Sequence, residues 1–212
     1  MYLPSHFAEN RLDVLHGLIR SHPFGLLVTN GPAGLSANGF PFLVDADGDA
    51  GFGTLRGHVA RANPVWRETG PDALVVFQGP HGYISPSWYA SKAEHGKVVP
   101  TWNYLMVQAR GRLRPIDDPA WVLKLVTRLT DTHEAPRAKP WGVDDAPPAY
   151  IDTMLRAIVG IELEVTSIVG KWKVSQNRPL ADREGVIAGL SEIGDDNARA
   201  LAAQTDKPGS AP

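Results

Sequence analysis

The sequence predicts an α+β protein built on an antiparallel, barrel-like sheet with helices packed at its ends. Three observations lead there. About six segments carry strand character, most of them closed by Gly-, Pro- or Asp-rich turns. The helical segments are few and do not alternate regularly with the strands, which argues against a doubly wound parallel sheet. No Gly-x-Gly-x-x-Gly turn follows a strand, so a dinucleotide-binding α/β fold is not indicated.

Residues 8–20 place Leu12, Leu15, Leu18 and Ile19 at helical spacing, and His22-Pro23 ends that helix. Residues 25–30 form a strand, closed by a turn at 31–34. Two strands follow, 35–44 and 50–56, joined by a turn at 45–49; Pro41 marks the first as an edge strand or a bulged one. HVARANPVW reads as a short helical segment limited by Pro64. The apolar run at 72–78 is a buried strand.

Residues 90–98 are polar and read as a mobile loop before a long strand, 102–113. Asp117, Asp118 and Pro119 form a helix start, and the helix 119–134 sets Trp121, Leu125, Val126 and Leu129 near one face. A Pro-rich connection leads to a short helix at 149–157. In the strand 158–170, Ile161, Leu163 and Val165 alternate with polar residues. KWKVSQNRPL closes the ordered core, and a helix is expected at 182–190. Residues 1–190 read as one domain; 191–212 read as a weakly patterned, partly disordered extension.

Composition narrows the function. The chain has 212 residues, enough to bury a core without disulfides or a structural metal. It has no cysteine, which removes disulfides, thiolate catalysis and Cys-based metal sites. A net charge of −2 argues against a general electrostatic pull toward nucleic acid. The first residues lack the apolar core of a signal peptide, and no apolar run approaches a membrane span. A cytoplasmic, soluble protein is the expectation.

Two basic constellations could carry chemistry. In GTLRGHVARANP, Thr54, Arg56, His58 and Arg61 stand where a strand is expected to pass into a helix. Hydroxyl, guanidinium and helix N–H groups together make a phosphate cradle, and a solvated strand end has the same composition. In KWKVSQNR, Lys171, Lys173 and Arg178 add charge, and Gln176 and Asn177 add amides able to pair with a polar-edged ring. The alternative is a basic turn leaving a strand.

The seven histidines show no metal-ligand spacing, and no Gly-x-Ser-x-Gly elbow is present, so neither a metal site nor a catalytic set is identified. Ser85 and Ser87 flank Pro86 and suit a turn. Residues 77–89, FQGPHGYISPSWY, combine rings with stiffening prolines and glycines. Large rings most often serve core packing, but such rigidity also suits the wall of a ligand pocket or a subunit contact.

The segments MYLPSHF, GHVARANPVW, FQGPHGYISPSWY, VPTWNY and KVSQNR, in this order, resemble the PaiB family of FMN-binding negative transcriptional regulators. The resemblance extends from Met1 to about Gly189. It implies an FMN-binding split β-barrel with peripheral helices, related to pyridoxamine-phosphate-oxidase-like proteins. It also implies a homodimer with flavin at the subunit interface. Matching Asn63-Pro64 to the end of the strand-to-helix step places Thr54, Arg56 and His58 on the phosphate side, with Arg61 beside them. Asn38, Gly39 and Phe40 would line the flavin from the neighbouring strand. Lys173, Gln176 and Asn177 would approach from the C-terminal region. Residues 83–89 would border the pocket and the dimer contact.

Three functions remain open at this level. The first is a flavin-binding regulator acting on DNA or a regulatory protein; the 117–134 helix, with Lys124 and Arg128 on one side and acids at both ends, makes a poor DNA reader. The second is a flavin-dependent oxidoreductase that reduces a small molecule with NAD(P)H. The third is a flavin-free scaffold dimer, or one holding another planar ligand such as haem through His58.

Overall fold

The computed structural model describes residues 1–32, 34–46, 51–67 and 73–206. The middle of the 45–49 turn, part of the 31–34 turn, the expected strand starts at 50 and 72, and the final residues of the C-terminal extension lie outside them. In chain order the elements are β1 (Ala8–Glu9), α1 (Leu12–Ser21), β2 (Phe24–Gly31), β3 (Gly34–Pro41), β4 (Leu43–Asp45), β5 (Thr54–Ala60) and β6 (Ala73–Ile84). Then come α2 (Ser91–His95), β7 (Thr101–Ile116), α3 (Pro119–Glu134), α4 (Pro148–Arg156), β8 (Ile158–Lys173), α5 (Leu180–Ile193) and α6 (Asp196–Asp206). No described helix is long and apolar enough to cross a membrane.

The chain forms two compact units. One comprises Met1–Leu18, Phe77–Gln108 and Val169–Pro212; the other comprises Ile19–Val76 and Ala109–Ile168. Strands β6, β7 and β8 contribute residues to both.

In the second unit the strand order is β3-β2-β6-β7-β8-β5-β4. Strand β2 alternates cleanly, with Gly25, Leu27 and Thr29 buried between exposed or half-exposed neighbours. Strand β5 pairs antiparallel with β8 from Thr54↔Glu164 to Ala60↔Ile158, which buries Leu55 and Val59. That ladder corrects the sequence reading of HVARANPVW. The strand runs through His58 to Ala60, and the helical part is a single turn at Pro64–Arg67. Seven cross-strand pairs outweigh the helical preference of a short Ala- and Arg-containing segment. Residues 35–44 split into β3 and β4 at Phe42, whose N–H donates to Pro23 O at 2.9 Å while its ring is buried. Helix α3 matches its expected bounds, with the Asp118 carboxylate accepting from Ala120 N at 2.9 Å.

In the first unit the distal parts of β6, β7 and β8 continue to the short strand β1, in register Ala8↔Lys171 and Glu9↔Gly170. Helix α1 starts at Leu12, the first residue of its apolar pattern and later than the expected start at residue 8, because the Glu9 carboxylate accepts from Arg11 N at 2.9 Å and turns the chain there. The expected loop at 90–98 contains the short helix α2, ended by Gly96 at φ +66°.

Helices α5 and α6 explain the aromatic stretch 77–89. Gly185 and Gly189 lie one turn apart on α5, and a Cβ on either would overlap Trp88, its carbonyl at Gly185 and its indole at Gly189. On the same helix Asp182, 1% exposed, accepts from Ser91 N at 2.9 Å and Ser91 Oγ at 2.8 Å. From α6, Asn197 accepts from His81 N at 3.1 Å and donates to His81 O at 2.7 Å. The Ser85 hydroxyl accepts from Ser87 N, as a turn at Pro86 requires. The rigid stretch thus packs against its own C-terminal helices, with Tyr89 buried and Tyr83 left half exposed.

Gly185→Val and Gly189→Val are each expected to lower the unfolding free energy by about 1–3 kcal/mol through overpacking against Trp88. Urea unfolding reads this as a lower midpoint at unchanged slope; a wild-type midpoint in both would show that Trp88 is not seated there.

Candidate functional site

The residues expected to contact a cofactor fall into two groups, one in each unit. Asn38, Gly39 and Phe40 on β3, Thr54, Arg56 and His58 on β5, and Arg61 just beyond it belong to the second unit. Lys173, Gln176 and Asn177 belong to the first.

Within the second unit the strand ladder brings several of these together. Arg56 stands opposite Glu162 on β8 and next to Asp45 on β4, and its guanidinium pairs with both carboxylates. Arg114 on β7 holds the other oxygen of Glu162, and Arg128 on α3 holds Asp45. The result is a chain of five charges, Arg128–Asp45–Arg56–Glu162–Arg114. Its outer arginine side chains are 50% and 58% exposed and its inner carboxylates 20% and 7%. Hydrogen bonds from Arg128, and then Arg56, hold the Asp45 carboxyl below the usual range against the opposing effect of burial.

Arg61 is also engaged. It forms a two-point pair with Asp117 at 2.8 and 2.6 Å and donates to the carbonyls of Arg156 and Ile158. Asn38 accepts from Asn63 Nδ2 at 3.0 Å, and Asn63 Oδ1 accepts from Val65 N, which starts the turn at Pro64. The Phe24 ring lies over Gly39 where a Cβ would sit. Phe40 meets Phe42 edge-on at 6.4 Å. Thr54 is buried.

His58 is the unusual member of this group. Its Nδ1 is buried without a hydrogen-bond partner, and burial lowers its pKa, so the imidazole is held neutral. An orphaned ring nitrogen on a strand is either a cost of packing or a contact awaiting a ligand.

In the first unit Lys173 Nζ donates to Thr101 Oγ1 and to Trp102 O, the latter at 2.7 Å. Gln176 folds back on the chain, accepting from Val174 N at 2.8 Å and donating to Trp172 O. Asn177 is exposed. The turn they share contains Ser175 at φ +63°, a left-handed conformation rare outside glycine and asparagine. Ser175 Oγ accepts from Asn103 Nδ2 at 2.8 Å, which leaves the buried Asn103 Oδ1 without a partner.

Sequence reasoning missed the partners. Nothing in the local pattern tied Asp45, Arg114, Arg128 and Glu162 to Arg56, although strand alternation in 158–170 did place Glu162 on the polar face. It also missed Tyr2, whose carbonyl accepts from Lys171 Nζ at 3.0 Å across almost the whole chain length.

The family model described as "Putative FMN-binding domain" matches residues 1–167. The chain is 34% identical to an uncharacterized protein of Emericella nidulans, with 95% of each chain covered. It is 33% identical to the Bacillus subtilis protein named protease synthase and sporulation protein PAI 2, again with 95% of each covered. Among solved structures it resembles a conserved hypothetical protein of Mycobacterium tuberculosis. The TM-score is 0.57 at 12% identity, covering 84% of this chain and 94% of that one. The flavocytochrome Anf3 of Azotobacter vinelandii gives a TM-score of 0.55 at 14% identity, covering 78% and 69%. At these identities the structural likeness is one of fold, and that fold is the antiparallel split barrel with added helices.

The neutral His58 makes stability pH-dependent. Its folded pKa lies below the ordinary value of 6.5, so the unfolded chain binds the proton first as pH falls. Its contribution is complete above the unfolded pKa and is lost as pH drops toward the folded one. Wild-type stability is therefore expected to decline from about pH 6.5 downward, and His58→Gln is expected to flatten that limb. Denaturant midpoints at pH 7.5 and pH 5.5 measure it, and equal slopes in both proteins would refute it.

Proposed function

Because the chain belongs to the FMN-binding domain family, in which it resembles the PaiB type, we propose that it is a flavin-binding negative transcriptional regulator that works as a homodimer with FMN at the subunit interface. The observation that carries this reading is the family match over residues 1–167, and it supports FMN as the cofactor. The relative from Bacillus subtilis supports a regulatory role through its name, which refers to protease synthase and sporulation. FMN supplies a planar redox-active ring with a phosphate tail; the chain's part is to bind and orient it.

The residues suit such a group. Within the second unit, the buried Nδ1 of His58, which has no hydrogen-bond partner, is free to meet a ligand. Arg56 and Arg61 serve the site through the carboxylates they already bind, so they order the strands more than they contribute free positive charge.

The homodimer has support in the second unit. Paired registers Phe24↔Pro41, Leu26↔Gly39 and Val28↔Ala37 put an apolar face on β2 and β3, followed by Leu35 opposite Asn30. Phe24 is 70%, Leu26 44% and Leu35 79% exposed. A contiguous apolar sheet face of this kind suits burial against a second copy. Regulation acts through a partner protein or an indirect route, since Arg128 on α3 is already held by Asp45.

Purified protein mixed with FMN and passed over a sizing column is expected to show flavin absorbance eluting with a dimer. Absence of flavin at micromolar FMN would remove the cofactor from the reading. Leu26→Glu is expected to shift the dimer to monomer in light scattering; a variant that stays dimeric would move the contact to another face.

A further inference from the structure

We propose that the end of β8 in the first unit is an anion subsite made by Lys171, Lys173 and Arg178, bordered by the ring of Trp102, and that it takes the phosphate of FMN. This inference rests on the flavin reading and sharpens it, because it moves the phosphate away from the arginines of β5.

The basic side chains differ in what they are paired with. The two arginines that the family resemblance sets beside the phosphate already have carboxylates: Arg56 has Asp45 and Glu162, and Arg61 has Asp117. Lys171, Lys173 and Arg178 have none among the described residues. Lys171 is only 7% exposed, and its ammonium is held by the Tyr2 carbonyl and by the faces of Tyr2 and Tyr104, at 5.5 and 5.4 Å. Arg178 lies over the Tyr89 ring at 4.7 Å.

Lys171 and Lys173 stand two residues apart on one face of β8, and Lys171 and Arg178 each act on the charge of Lys173. Burial lowers the Lys173 pKa first, and Lys171 and Arg178 lower it further. No carboxylate pairs with them among the described residues: Asp182 accepts from Ser91, and Glu9 pairs with Arg11 from a β1 position opposite Gly170, while Ala8 is the residue opposite Lys171. Three partly desolvated like charges without an ion-pair partner are unfavourable in isolation and favourable around an anion.

A ring surface lies beside Lys173. Lys173 is fixed to the Trp102 carbonyl, and the Trp102 ring is 49% exposed. His81 stacks on Trp102 at 5.9 Å and 25°, and Tyr83 meets it edge-on at 6.4 Å. A cationic cluster next to an exposed ring suits a molecule with an anionic group attached to a planar aromatic system. The strained Ser175 turn holds Arg178 in place, since Arg178 N donates to Ser175 O at 2.9 Å.

The test compares FMN with riboflavin, which lacks the phosphate, by quenching of flavin fluorescence on the full chain. Wild type is expected to bind FMN about 10-fold or more tightly than riboflavin, the difference of a charge-assisted contact. Lys173→Met and Arg178→Met are expected to lose that preference while riboflavin affinity is unchanged, which also shows that the variants are folded. Arg61→Met is expected to keep it. An FMN preference that survives both Met variants, or no preference in wild type, overturns the subsite and leaves the flavin reading standing. Failure to bind either flavin overturns both.

Discussion

Glu162 is a carboxylate placed almost out of water on a central strand, and much of the second unit follows from what it needs. A buried carboxylate without partners is costly by several kcal/mol, and removing one partner of a buried pair typically costs about 3–5 kcal/mol. Here β5 supplies Arg56 across the ladder and β7 supplies Arg114. Arg56 in turn needs a second carboxylate, provided by Asp45 on β4, which Arg128 on α3 then balances. One ionised group therefore links three strands to β8 and fixes α3 against β4. The end arginines are exposed, so the pairs gain most from the inner members, where water is excluded.

That arrangement shapes where chemistry can occur. Arginines locked against carboxylates cannot offer full charge to an incoming phosphate, whereas lysines that meet rings, carbonyls and a hydroxyl can. In the anion subsite proposed above, these two uses of positive charge fall in different units. A motif that carries Thr54, Arg56, His58 and Arg61 within eight positions reads as a ligand cradle, yet two of those side chains build the fold and one, His58, is kept neutral by burial.

How much of this was legible in the sequence depended on range. Helix α3, with its Asp118 cap and Pro119, was legible because the signal is local. The alternation in β8 was legible for the same reason. The helical reading of HVARANPVW failed because a ladder with β8, about a hundred positions away in sequence, decides that segment. Helix α6 was missed because its apolar residues, Ala198, Leu201 and Ala202, are small and few, and they are buried by neighbours invisible in a local window. The role of Lys171 was equally hidden, since its partner is the second residue of the chain. The aromatic stretch 77–89 was recognisable as unusual, but its docking surface, two glycines and an aspartate on α5, carried no signal at all.

The clasp of Asn197 on the backbone of His81 has a separate implication. Among the described residues, strand β2 pairs with β6 at residues 74–76, and no β2 pairing follows beyond Val76. A row of unpaired peptide groups recruits other strands, and proteins commonly cover such edges. A side-chain amide that imitates a strand neighbour, carried on the last helix, does so here at His81. A chain cut short before Asp196 would carry an open seam, and its characteristic failure would be self-association into insoluble assemblies. Helix α6 thus covers part of that edge through one side chain, with both peptide groups of His81 satisfied by the Asn197 amide.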